Sequence, residues 1–186
     1  METEFKEIIS ILKEAKRLKH IDDFALTGAL ALSALSQPRA TRDVDFLITV
    51  DKEKIRDLVD WIKSVKGHRL TKHYIGGKKD LIKDLVEVPI GSTWADLIIA
   101  VSDIEKEAVS TGLQAGVFRL RLKIVRPEFL IILKLRAGSD QDFLDCAALW
   151  KEEIDREMVK KMAKELFLEG KLKKIAGIAR RVKTGK

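Results

Sequence analysis

The sequence predicts an α+β domain, and three observations predict it. Near the N-terminus, Phe5, Ile8, Ile9, Leu12, Ala15 and Leu18 recur at the spacing of one buried helix face. Two short apolar runs, Val44 to Ile48 and Trp94 to Ala100, have the length of strands. Toward the C-terminus the spacing is helical again, through Met158, Met162 and Leu166 and then Leu172, Ile175, Ile178 and Val182. A chain of 186 residues suffices for one well-buried domain with a helical appendage, and we expect the division at 1–150 and 151–186.

The elements follow in order. The N-terminal helix packs on the sheet and serves structure only. Ala25-Leu26-Thr27-Gly28-Ala29 reads as a short apolar segment, a Gly turn and the start of a small-residue helix from Leu30 to Ser36. Such a helix start offers backbone N–H groups and a positive dipole end to a phosphate. Arg39 to Ile48 then places Asp43 and Asp45 one residue apart at the mouth of an apolar run. Strand alternation sends both carboxylates to one face and Val44, Phe46 and Ile48 to the other. Two anions about 6–7 Å apart along a strand repel unless a cation lies between them. Magnesium or manganese suits such a pair; a solvated strand entrance is the plain alternative.

Asp51 is a plausible N-cap for a helix with Ile55, Leu58, Val59 and Ile62 on its apolar face. Residues 66–93, broken by Gly67, Gly76-Gly77 and Gly91, read as a strand or hairpin insertion. Gly76-Gly77-Lys78-Lys79 is a turn, or a loop able to cradle phosphate. Asp96 is a lone carboxylate near the start of the second apolar run, costly to bury as an ion without a partner. Paired strands would bring it beside Asp43 and Asp45 as a three-carboxylate metal cluster; a strand-edge or capping role is the alternative. Ser102 and Glu105 form a capping box that opens the next helix. Arg119 to Val125 alternates as a strand with one basic face, and Pro127 to Ala137 is a helix closed by Gly138. Lys134 sits among Leu130, Ile131, Leu133 and Leu135, so its ammonium either snorkels to solvent or meets an anion. Asp142 and Asp145 share one face of the following helix, where they could orient Lys134 or Arg39.

Composition sets further bounds. Apolar content of 46% and charged content of 35% describe a globular protein, with no apolar run as long as a membrane span. The N-terminus is too charged for a secretory signal, and the single Cys146 forms no internal disulfide, so a reducing cytoplasm is the expected compartment. Cys146 reads as a buried small hydrophobe, and His20, His68 and His73, without partners at ligand spacing, as surface residues. Asn is absent while Lys and Glu abound, a thermophile-like signature. The net charge of +7 is carried by the tail, where residues 171–186 hold seven Lys or Arg and no acid. That tail predicts a docked helix whose basic outer face is either solvated or set against RNA phosphates.

Leu26-Thr27-Gly28, the run Arg39-Ala40-Thr41-Arg42-Asp43-Val44-Asp45, the lone Asp96, and Lys134 followed by Asp142 and Asp145 stand in one order along the chain. In that order they resemble the small nucleotidyltransferases of the DNA polymerase β superfamily, especially the AbiEii-like toxin branch. The resemblance implies a mixed sheet of about five strands flanked by helices. It implies transfer of NMP from an NTP, ATP among the candidates, to an acceptor hydroxyl on an RNA end, tRNA first, or on a protein. Asp43, Asp45 and Asp96 would be the catalytic and metal-binding residues, for two Mg2+ or Mn2+ ions. Thr27, Gly28, Ala29, Arg39 and Lys134 would bind the nucleotide, supported by Asp142 and Asp145, and a cognate antitoxin protein would be a partner. The chain departs from the family where Ala29 replaces a Gly or Ser, and where Ser139 and Gln141 replace basic residues. Those departures fit an alternative, an inactive nucleotide- or partner-binding regulatory protein of the same fold.

Overall fold

The structure, a computed structural model, describes residues 2–36, 38–41, 43–65, 67–76 and 84–183, the side chains of 180–183 excepted. The chain forms two compact units, one of Met1–Ala31 with Arg39–Val125 and one of Leu32–Pro38 with Arg126–Lys186. The helices from residue 126 thus group with those beyond 151.

The first unit holds α1 (Glu2–Arg17), β1 (Asp23–Leu26), the start of α2 (Gly28–Leu35), β2 (Val44–Thr49), a 3-10 turn (Lys52–Lys54), α3 (Ile55–Ser64), β3 (Lys72–Ile75), β4 (Asp84–Ile90), β5 (Thr93–Ile99), α4 (Asp103–Ser110), β6 (Leu113–Val117) and β7 (Leu120–Ile124). The strands make one mixed sheet in the order β3-β4-β5-β2-β1-β7-β6, with β2–β5 and β1–β7 parallel and the other pairs antiparallel. Seven strands stand where about five were expected. The additions lie at the margins: β3 and β6 are the edge strands, and β6, Leu-Gln-Ala-Gly-Val, has no alternation to announce it.

Alternation along β2 sends Val44, Phe46 and Ile48 into the core, where Phe46 stacks on Phe5 of α1 at 6.2 Å and meets Phe24 of β1 edge-on at 6.0 Å. The expected face of α3, Ile55, Leu58, Val59 and Ile62, is buried. Asp51 does not cap it: the 3-10 turn intervenes, and the Asp51 carboxylate pairs with Lys54 at 3.0 Å. The Ser102–Glu105 capping box forms as expected.

Of the three histidines read as surface residues, His68 is buried, while His20 and His73 are partly exposed. His68 is 2% exposed; its Nδ1–H donates to the Pro89 carbonyl at 2.8 Å, and Nε2 stands 3.2 Å from the Glu7 carboxylate. A carbonyl can only accept, which fixes the proton on Nδ1. His73 lies 3.4 Å from Asp84, and His20 stacks on Trp61 at 4.9 Å.

The second unit is helical: α5 (Pro127–Ala137), α6 (Asp140–Leu149), α7 (Arg156–Glu165) and α8 (Glu169–Lys183). α5 is buried nearly all round and ends on Gly138 in the left-handed conformation, φ 74°. α8 buries Leu172, Ile175 and Ala179. Two of its lysines turn inward: Lys171 donates to the Leu135 carbonyl at 2.8 Å, and the Lys174 ammonium lies 3.8 Å over the Phe143 ring. The basic tail is therefore partly structural, its cations meeting an orphan carbonyl at the end of α5 and an aromatic face. The remaining tail cations from Arg180 onward, like Gly77, Lys78 and Lys79 of the glycine loop, lie outside the described side chains. Among the described residues no helix is long and apolar enough to cross a membrane. Cys146 is buried, its thiol donating to the Ile131 carbonyl at 3.5 Å; burial pushes its pKa up to about 12, so it is inert.

Candidate active site

The parallel pairing of β2 and β5 brings two of the three expected carboxylates together, since Asp45 and Asp96 face each other in register. Their sequence neighbours enforce this: Val44 and Phe46 on one strand, Ala95 and Leu97 on the other, are all buried on the opposite face. The row continues from Asp96 to Glu87 on β4 and from Glu87 to Lys72 on β3. Asp43 directly precedes β2, exposed, two residues from Asp45 and so on its face. Thr41 fixes the approach, its Oγ1 accepting the Asp43 N–H at 3.2 Å.

Gly28 has φ +65°, and a Cβ built on it would fall on the Asp45 carboxylate, 2.7 Å from its Cγ. Both backbone conformation and space therefore demand glycine here. The adjoining Thr27, buried, donates its N–H to the Asp45 carbonyl at 2.9 Å. The β1–α2 corner is thereby stitched to the carboxylate strand. Ala29 lies in the first turn of α2 with its methyl buried, so its small apolar side chain serves packing there. Arg39 is exposed in the segment that leads to β2.

Electrostatics mark Asp96. Half-burial first, and then the negative charges of Asp45, Glu87 and Asp43, push its pKa up to about 6. Glu87 was not singled out from sequence, although the alternating Leu85-Val86-Glu87-Val88 could have placed it on the open face. Among the described residues no three His, Cys, Asp or Glu side chains converge closely enough to cage a metal ion as they stand. The donor chemistry nonetheless suits a hard divalent cation: the site offers carboxylate oxygens in mutual repulsion, which such an ion relieves.

In the helical unit the other expected group assembles. Lys134, buried on α5, donates to Asp145 at 2.7 Å and to Asp142 at 3.2 Å. Gln141 donates to the other oxygen of Asp145 at 2.8 Å. Asp142 also closes a capping box, accepting from the Ser139 N–H at 3.1 Å and hydroxyl at 2.7 Å. Burial raises the Asp142 pKa, but the Ser139 hydrogen bonds and the Lys134 charge more than offset this and hold it below the usual carboxylate range. Ser139 is thus a helix cap, a role that Ser-x-x-Asp signals in the sequence. Asp142 and Asp145 both pair with Lys134, one of the two cations, with Arg39, that the sequence offered them.

The mixed sheet thus carries paired carboxylates on adjacent parallel strands, with a glycine corner against one of them. The solution structure of the antibiotic-resistance factor ANT(2'')-Ia is similar over 100% of both chains, at 12% identity and a TM-score of 0.56. The crystal structure of ANT(2'')-Ia with adenylyl-2''-tobramycin aligns over 95% of this chain and 97% of that one, with 14% identity and a TM-score of 0.46. For the Megavirus polyadenylate synthase the values are 81%, 33%, 14% and 0.45. No curated protein matches the chain. The family model of the nucleotidyl transferase AbiEii toxin, type IV toxin–antitoxin system, matches residues 10–178, and the chain belongs to that family.

Proposed function

We propose that the protein transfers NMP from an NTP to an acceptor hydroxyl, with an RNA end, tRNA first, as the acceptor. The observation that carries this is the facing of Asp45 and Asp96 in register, with Gly28 lodged against Asp45, in a chain of this family. Asp43, Asp45 and Asp96 would hold two Mg2+ or Mn2+ ions, which when bound stabilise charge on the attacking and leaving oxygens. The acceptor oxygen bonds to the α-phosphorus, the bond to the β-phosphate bridging oxygen breaks, and pyrophosphate leaves. Asp96, facing Asp45 across the strand pair, would receive the proton of the acceptor hydroxyl. The backbone of Thr27, Gly28 and Ala29 at the start of α2 offers N–H groups to the triphosphate, and Arg39 offsets its charge. Lys134, its ammonium held by Asp142 and Asp145, would be the nucleotide-binding lysine that the family resemblance implies. An antitoxin protein is the partner that the family implies.

The test is incubation of the protein, and of its Asp43→Ala/Asp45→Ala variant, with magnesium, each α-labelled NTP and total cellular RNA. Label in RNA that depends on the carboxylates supports the proposal. Label in protein moves the acceptor to a polypeptide hydroxyl. Absence of transfer despite metal-dependent NTP binding makes the chain a regulatory nucleotide-binding protein.

A further inference from the structure

Two aromatic rings and an ammonium share the sheet face that carries the carboxylates. Residues two apart on a strand lie on one face, so Trp94 sits beside Asp96, opposite Pro89 and level with Asp43, which directly precedes the Val44–Ala95 pair. Lys72 ends the row of Asp45, Asp96 and Glu87, and its Nζ stands 5.4 Å from the centre of the Trp94 ring. Tyr74 is two residues further along β3, opposite Leu85, which in turn faces Ile98. On the reverse side of these strands Val86, Val88, Ala95 and Leu97 are sealed in the core. Trp94 and Tyr74, by contrast, are 37% and 44% exposed.

The Trp94 indole, two positions from Asp96, is thus only partly covered. Its chemistry suits a flat partner. Unpaired nucleobases are held by stacking on aromatic side chains, with cations on the backbone phosphates. The spacing fits: Trp94 and Asp96 are about 7 Å apart along the strand, the scale of the reach from a base to the hydroxyls of its own ribose. We infer that Trp94 and Tyr74, with Lys72, form the subsite for the acceptor strand, resting on the reading that an RNA end is the acceptor. The terminal base stacks on the Trp94 indole, and a base further along the strand reaches Tyr74. Lys72 exchanges its place over the ring for a backbone phosphate, and the terminal hydroxyl is presented to Asp96. A duplex, whose bases are already stacked, cannot use this surface.

The experiment pairs binding with turnover. Fluorescence anisotropy of a labelled short single-stranded RNA, and of the same strand in a blunt duplex, is read for wild type, Trp94→Ala, Trp94→Phe and Lys72→Gln; KM and kcat for RNA come from label transfer. Wild type is expected to prefer the single strand. Trp94→Ala is expected to weaken single-strand binding and raise KM for RNA about ten-fold, the scale of one lost base stack, with kcat and NTP affinity held. Trp94→Phe keeps most of the affinity, which separates stacking from general damage. Lys72→Gln lowers the salt slope by about one phosphate contact. If wild type transfers to RNA while Trp94→Ala leaves Kd and KM unchanged, or if duplex and single strand bind alike, the subsite is refuted and the acceptor reading survives. If wild type binds no single-stranded RNA and labels protein instead, the acceptor reading fails and the subsite with it.

Discussion

Replacing Asp96 by asparagine removes a carboxylate that its surroundings resist ionising. Its pKa lies at about 6 against an ordinary 3.8. Below the ordinary value the carboxyl is protonated both folded and unfolded, and contributes nothing to pH dependence. Between the two values the folded state keeps a proton that the unfolded state has released, so stability falls as pH rises through this window. Above about pH 6 the penalty is constant. Two pKa units correspond to about 3 kcal/mol, which the partial exposure of Asp96 and solvent screening reduce to about 1–2 kcal/mol. Asp96→Asn keeps the shape and removes the charge. In chelator at pH 8 it should therefore melt roughly 2–8 °C above wild type, at about 2–4 °C per kcal/mol for a chain of this size. At pH 4 the gap should nearly vanish. Magnesium should then narrow the gap at pH 8, because it stabilises only the protein that binds it. The assay is differential scanning calorimetry across pH, with and without the ion. A gap that is absent at pH 8, or equal at pH 4 and pH 8, would refute the electrostatic account of this site.

Other substitutions test other parts. Gly28→Ala should cost about 1–2 kcal/mol for the left-handed backbone alone, measurable by urea unfolding, and should abolish transfer by displacing Asp45 while the chain still folds. Lys134→Met should destabilise by about 3 kcal/mol by taking the cation away from the buried Asp145 carboxylate, and Asp145→Asn added to it should restore a good part of the loss. A double-mutant cycle without coupling would show that the triad is not the unit described. Ser139→Ala should cost about 1 kcal/mol through the lost α6 cap, again by urea unfolding, a change absent if solvent already satisfies the Asp142 N–H.

The parts of this protein legible in its sequence are those where one local rule decides. Alternation around Asp45 and Asp96 forces their side chains to one face, and Pro127 with Gly138 brackets α5, so both were readable. Long-range facts were not. Whether β2 pairs with β5 depends on the intervening chain, and the short edges β3 and β6 carry too few apolar residues to announce themselves. His68 is buried because Glu7 and the Pro89 carbonyl converge on it from distant positions, which its own neighbours do not encode. Lys171 and Lys174 read as part of a basic outer face, solvated or set against RNA phosphates, because charge patterning cannot tell a lysine facing outward from one that stops at a helix end or over a ring.

The interleaving of carboxylates with core residues on β2 and β5 has a kinetic corollary. A slip of one residue in either strand would carry Phe46 or Leu97 to the carboxylate face and an anion into the core, so a misregistered state is rejected by the same forces that fold the domain. Chemistry and stability are thus coupled as a switch and not as a dial. Conservative core substitutions, such as Ile48→Val, should lower the number of competent molecules without altering the turnover of each, so activity normalised to the folded fraction should stay flat until folding itself fails.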